Sequence, residues 1–166
     1  MRVFRRTLIA LLLTLAATVP ARAQTWLSVE GGLAGAGIGF EEPLPQLGIR
    51  VAGVKPHAFN VDFSVALFPT VVAEGGLIAI PDLDIGYAVP AGDQVRIMAR
   101  VGGSALADVV GEGGAGAIPG YNVGVGALAR IGPRAAFRFD YTYRRLIEDG
   151  ESYPVSSVSL GIAWTP

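Results

Sequence analysis

The chain has no cysteine among its 166 residues. That excludes disulfides, and it excludes a lipid anchor on an N-terminal cysteine. Lysine is nearly absent too: Lys55 is the only one. An ordinary soluble surface is rich in both signs of charge, so this scarcity needs a cause. There is one histidine, His57, between Pro56 and Ala58. A lone histidine makes no zinc site of the usual three or four ligands without carboxylate help, and none lies near it in sequence. No stretch shows sustained helical periodicity.

One long apolar run exists, Thr7 to Val19, after Arg2, Arg5 and Arg6 and before Pro20. Ala21-Arg22-Ala23 follows as a small-residue site. Charged start, short apolar core and A-x-A site predict a secretory signal peptide over 1–23, cleaved before Gln24. An uncleaved anchor would need a longer apolar run. The mature chain, 24–166, is expected to form one domain. Four of the 13 basic residues and none of the 14 acidic ones leave with the signal, so its net charge is −5. That argues against a nucleic-acid partner, which favours a basic patch.

What the mature chain has is alternation, eight times over. Phe59, Val61, Phe63, Val65 and Leu67 oppose Asn60, Asp62, Ser64 and Ala66. Phe137, Phe139, Tyr141 and Tyr143 oppose Arg138, Asp140, Thr142 and Arg144. The other segments are Trp26–Leu33, Gln46–Val54, Leu77–Val89, Val95–Ala105, Tyr121–Ile131 and Val155–Trp164. Period two puts each set on its own face of a strand. Pro81 inside the fourth segment is expected to weaken pairing or mark a bulge. The turns KPH, PAGDQ and GPR are short, while four other connections, including AGAGIGFEEPLP, FPTVVAEGG and IEDGESY, read as long loops. Short turns at one end and loops at the other predict an all-β, eight-stranded antiparallel up-and-down barrel, closed to remove its edges.

Alternation alone does not say which face is inside. The polar face is mostly Gly, Ala and Ser with isolated Arg, Asp, Asn and Glu. Such a face suits a lumen that eight strands leave just wide enough for side chains. The apolar face has no charge in its middle, where Arg or Lys would cost about 2–4 kcal/mol in a bilayer. Phe59, Tyr87, Phe137 and Trp164 lie at the short-turn end, and Tyr121 and Tyr143 at the loop end. Two aromatic belts are what a membrane barrel carries. The reading is therefore a transmembrane barrel with a polar, side-chain-filled lumen. Arg50, Asp62, Asp82, Asp84, Arg96, Arg100, Arg130, Arg138 and Asp140 are expected to pair there, with Asp84 opposite Arg100. Arg145, on the outward parity, is placed beyond the hydrocarbon. The alternatives are a soluble periplasmic barrel holding an apolar ligand and an outer-membrane enzyme acting on lipid.

The final stretch, Val158-Ser159-Leu160-Gly161-Ile162-Ala163-Trp164, resembles the C-terminal assembly signal of the small eight-stranded outer-membrane barrels of the OmpA-transmembrane-domain and OmpX type. Gly161 and Trp164 stand at its glycine and aromatic positions. The family usually ends on an aromatic, and this chain ends Trp164-Thr165-Pro166. The resemblance implies the bacterial outer membrane, insertion by its assembly machinery, escort by periplasmic chaperones, and contact with lipid and lipopolysaccharide. It implies no single activity.

Few residues offer chemistry. Gly111 to Gly116 matches G-x-G-x-x-G, but Ala117-Ile118-Pro119-Gly120 follows where a helix is required. His57 lacks the neighbouring serine that lipid-deacylating barrels use. Asp82 and Asp84 share a face as an acid/base pair would, yet neighbouring arginines favour salt bridges. Glu41-Glu42 and Glu148-Asp149-Gly150-Glu151 put acid in loops, where Ca²⁺ or solubility explains it. The sequence thus predicts no catalytic residue, no cofactor and no metal, and a monomer with a structural or surface-interaction role.

Overall fold

The computed structural model describes residues 24–37, 41–69, 77–110 and 117–166. The expected signal peptide and the glycine-rich 111–116 stretch lie outside the described residues.

Eight strands follow one another in an antiparallel meander: β1 (Gln24–Ala36), β2 (Glu41–Val54), β3 (Ala58–Phe68), β4 (Leu77–Pro90), β5 (Val95–Val110), β6 (Ala117–Arg130), β7 (Ala135–Glu148) and β8 (Glu151–Trp164). The sheet is a closed barrel in sequence order. β8 returns to β1 with Trp164 opposite Leu27 and Val158 opposite Leu33. Every strand therefore has two ladder partners, and no edge is left to pair with another chain.

Local chemistry sets the short turns. Between β2 and β3, the Lys55 amide donates to Asn60 Oδ1 at 2.7 Å. The His57 amide donates to the Ala88 carbonyl at 2.8 Å, with His57 at φ 54°. Between β6 and β7, the Ile131 amide donates to the Ala135 carbonyl at 2.9 Å. Between β4 and β5, the Ala91 amide donates to the Val95 carbonyl, and Gly92 takes φ 97°. That turn places Pro90 opposite Arg96. The register is therefore two residues from the expected one: Asp84 faces Gly102, and Arg100 faces Gly86. A shift of two keeps every side chain on its face.

The strands run further toward the loop end than alternation suggests. β2 starts at Glu41 rather than Gln46, β5 continues to Val110 and β6 starts at Ala117. Backbone hydrogen bonding carries the ladder through segments whose hydropathy is irregular. The β7–β8 connection is no long loop. Glu148 pairs with Glu151 across Asp149-Gly150, both at positive φ (51° and 85°). That is the two-residue Asp-Gly turn whose twist matches a hairpin. Pro81 marks no register shift: it pairs with Val65 on β3, and the β5 ladder has the same offset at Ala79↔Ala107 and Asp82↔Ser104.

Candidate functional site

The two faces of the barrel wall meet different surroundings. Val29, Ile49, Val61, Leu83, Ile85, Val101, Val125, Phe139, Leu160 and Ile162 all point outward and are exposed. Among the strand residues whose side chains are described, charge on the outward parity occurs only at Arg145, at the loop end. Arg145 pairs with Tyr121 on β6 and donates to Ser152 Oγ at 3.0 Å. At the short-turn end Phe59 lies opposite Tyr87, with ring centroids 5.5 Å apart and planes at 71°. Phe137 and Trp164 are exposed at the same end, and Tyr121 at the other, while Tyr143 is half-buried.

Inside, nine ionisable side chains are buried among the described residues: Glu30, Arg50, Asp62, Asp82, Asp84, Arg100, Arg138, Asp140 and Arg144. They form two groups. In the first, Arg50 Nε donates to Glu30 at 3.0 Å and its Nη1 to Asp62 at 2.9 Å. Arg138 donates to Asp62 at 2.8 Å and through Nε to Asp140 at 2.6 Å. Arg100 bonds the other oxygen of Asp140 and lies 3.6 Å from Asp84. In the second, Arg144 grips Asp82 with two bonds, at 3.0 and 2.6 Å. Ser64 and Ser104 donate to Asp82 as well, at 3.2 and 2.6 Å. Asn122 joins the two groups, donating to Asp84 at 2.8 Å and to Ser104 Oγ at 3.0 Å. Buried charge is tolerable only when paired and hydrogen-bonded in this way.

Space for these long side chains comes from glycine. A Cβ on Gly126 would run into Asp140 Oδ1, and one on Gly102 into Asp84 Oδ1. Gly161, singled out in the C-terminal stretch, faces inward against Glu30 and opposite Arg138, where a Cβ would meet Glu30 Cγ at 2.7 Å. A side chain there is excluded by the Val29 carbonyl oxygen of the neighbouring strand as well as by Glu30.

Two of the expected lumen residues do not join. Arg96 donates to the carbonyls of Gly92 and Val95, both at 3.0 Å, and Arg130 to that of Pro133 at 3.4 Å. Among the described residues neither has a carboxylate partner. Both sit at the inward position nearest a short turn, where the guanidinium folds back on its own hairpin. Conversely, Glu30 and Arg144 belong to the network: Glu30 through Arg50 on the adjacent strand β2, Arg144 through a partner that hairpin pairing gives no hint of. Arg144 reaches from β7 to Asp82 on β4, 62 positions away in sequence.

The lumen is not polar throughout, which corrects the expectation. At the short-turn end Trp26, Ala52, Val54, Ala88, Met98, Leu128, Ala136 and Ala163 form a buried apolar plug. At the loop end Ala34, Ala66, Phe68 and Ile80 form a second apolar layer, with Ile78, Leu106 and Val155 against it. Above that layer a cavity of about 290 Å³ opens toward the loops. In the charged layer between them a cavity of about 20 Å³, room for one water molecule, lies beside Glu30, Arg50 and Gln46.

The rest of the chemistry is modest. His57 is exposed in its turn. Asp82 is saturated by Arg144, Ser64 and Ser104 and has no lone pair to spare for acid/base work. Among the described residues no cluster of three or more metal-ligating side chains occurs, and no helix is long and apolar enough to cross a membrane. Tyr153, at the loop end, donates to Glu151 at 3.0 Å, which raises its phenol above the usual range.

No protein-family profile matches the chain, and no curated protein matches it. Solved structures do. The chain is similar to Neisserial surface protein A, at 11% identity and TM-score 0.64, over 87% of this chain and 98% of that one. It is similar to the N-terminal β-barrel domain of Pseudomonas aeruginosa OprF, at 12% and 0.58, over 86% and 100%. It is similar to the attachment invasion locus protein Ail of Yersinia pestis, at 11% and 0.60, over 86% and 97%. Ail has also been solved with the heparin analogue sucrose octasulfate. At such identities the likeness speaks to architecture: this chain has the closed eight-stranded antiparallel barrel fold that outer-membrane proteins share.

Proposed function

We propose that the chain is an integral protein of the bacterial outer membrane, exported by residues 1–23 and folded over 24–166. The short turns face the periplasm, and the loop end faces outside. The observation that carries this is the inversion of polarity: exposed Leu, Ile, Val and Phe outside, paired Arg and Asp inside. A barrel strand needs about 9–11 residues to cross a bilayer. Strands of up to 16 residues suffice and leave several beyond the hydrocarbon. Arg145, Glu148 and Glu151 fall in that excess. A soluble barrel would leave this apolar belt in water, far above the few hundred Å² that soluble monomers expose as one patch.

The role is non-enzymatic: it supplies a stable wall and an exposed surface, as a monomer amid lipid and lipopolysaccharide, after delivery by chaperones and the assembly machinery. The acidic loop end disfavours a heparin-like polyanion of the kind crystallised with Ail. The plug and the charged layer close the lumen, so a wide pore is excluded from the reading. Purified protein in detergent should migrate faster unboiled than boiled, and membranes should retain it against carbonate. Release by carbonate or osmotic shock would contradict the proposal, and so would a large stable conductance.

A further inference from the structure

The mouth of the lumen at the loop end is lined by the wrong kind of residue for a water-filled vestibule. Leu44, Phe68, Ile78, Ile80, Leu106 and Val155 all face inward there, from β2, β3, β4, β5 and β8. Phe68 and Ile80 are buried in its floor, whereas Leu44 is exposed at its wall. The cavity they shape, about 290 Å³, is near the lower end of the range for small-molecule sites. It is closed below by the Asp82–Arg144 pair, one inward position beneath Ile80.

Charge at this end is one-sided. Glu42 lines the cavity at its lip. Glu148, Asp149 and Glu151 are exposed in the neighbouring β7–β8 turn, against Arg145 alone on the described outer rim. The short-turn end is the reverse, with Lys55, Arg96, Arg130 and Arg134 against Asp93. An apolar cup with Glu42 at its lip and three more carboxylates in one neighbouring turn is complementary to one chemistry.

We infer that the cup binds a cationic amphiphile: a short aliphatic or aromatic body seated against Phe68 and Ile80, with an ammonium or amidinium head beside Glu42. The body removes apolar wall from water. The head fixes orientation and rejects anionic analogues, because the same carboxylates repel them. This goes beyond the proposed role, which needs only a closed barrel.

The test uses the barrel in nanodiscs, with methyl NMR reading Leu44, Ile78, Ile80, Leu106 and Val155. Octyltrimethylammonium, octyl sulfate and octanol are the probes. The inference expects saturable shifts at those methyls with the ammonium, weaker ones with octanol, and none with the sulfate. Glu42→Gln should weaken the ammonium up to about fivefold and leave octanol unchanged. Ala34→Phe, which fills the floor, should abolish binding. Should that variant fail to fold, Leu44→Trp at the exposed wall should reduce binding at least tenfold. Four results would overturn the inference: no saturable shift, equal shifts at the lipid-facing Leu83 and Val101, no preference between ammonium and sulfate, or cup methyls already covered by the chain's own loops. A barrel that does not enter nanodiscs would instead sink the membrane reading.

Discussion

The two ends of the lumen are both apolar, and they differ in closure. At the short-turn end, Trp26 fills the space between Ala52, Ala88, Ala136 and Ala163, one bulky ring among small neighbours. At the loop end, Phe68 and Ile80 form a floor, but a cavity of about 290 Å³ remains above it. Between them lies a charged layer packed against glycine. Plug and charged layer thus belong to stability, while the described residues of the cup leave a cavity between them. A side chain in the closed layers has nowhere to relax, while one in the cup borders open space.

Substitutions can break that contrast. Trp26→Ala should have the largest effect, about 3–5 kcal/mol, because it empties a fully packed site. Denaturant unfolding of the detergent-folded barrel, followed by its gel shift, measures this. Arg144→Met should cost about 3 kcal/mol, since it strands Asp82 without its counter-ion. Adding Asp82→Leu should recover most of the loss, which distinguishes a stranded charge from lost packing. Gly126→Ala should cost about 1–3 kcal/mol through overpacking against Asp140. Leu44→Ala, at the open cup, should change stability by less than about 0.5 kcal/mol. Were Leu44→Ala as costly as Trp26→Ala, the two ends would not differ as described.

Much of this was legible in sequence. Alternation located all eight strands, and the placement of aromatics and charges chose the outward face. The β4–β5 register was not legible, because it depends on how many residues of PAGDQ the turn consumes. The Asp-Gly pair at 149–150 was legible as a tight hairpin, but the acidic residues around it suggested a loop instead. Cross-lumen partners were hidden for a deeper reason. Arg144 meets Asp82 only because closure brings β7 across from β4, and hairpin pairing cannot report such contacts. The apolar ends of the lumen did leave a signal: Trp26, Phe68 and Ile80 sit on the inward parity of their strands. Treating that parity as uniformly polar obscured them, since period two reports the face and not the depth.

The central claim is that the apolar face of the wall meets lipid, and the absence of cysteine makes it directly measurable. Single cysteines at Val101, Val125 and Leu160 can each carry a spin label in the reconstituted barrel, with Ile147 as the loop-end reference. At Val101, Val125 and Leu160 relaxation should respond strongly to oxygen and hardly to a water-soluble nickel chelate, while Ile147 responds to the chelate. Equal chelate access at all four positions would place the apolar face in water and contradict the account.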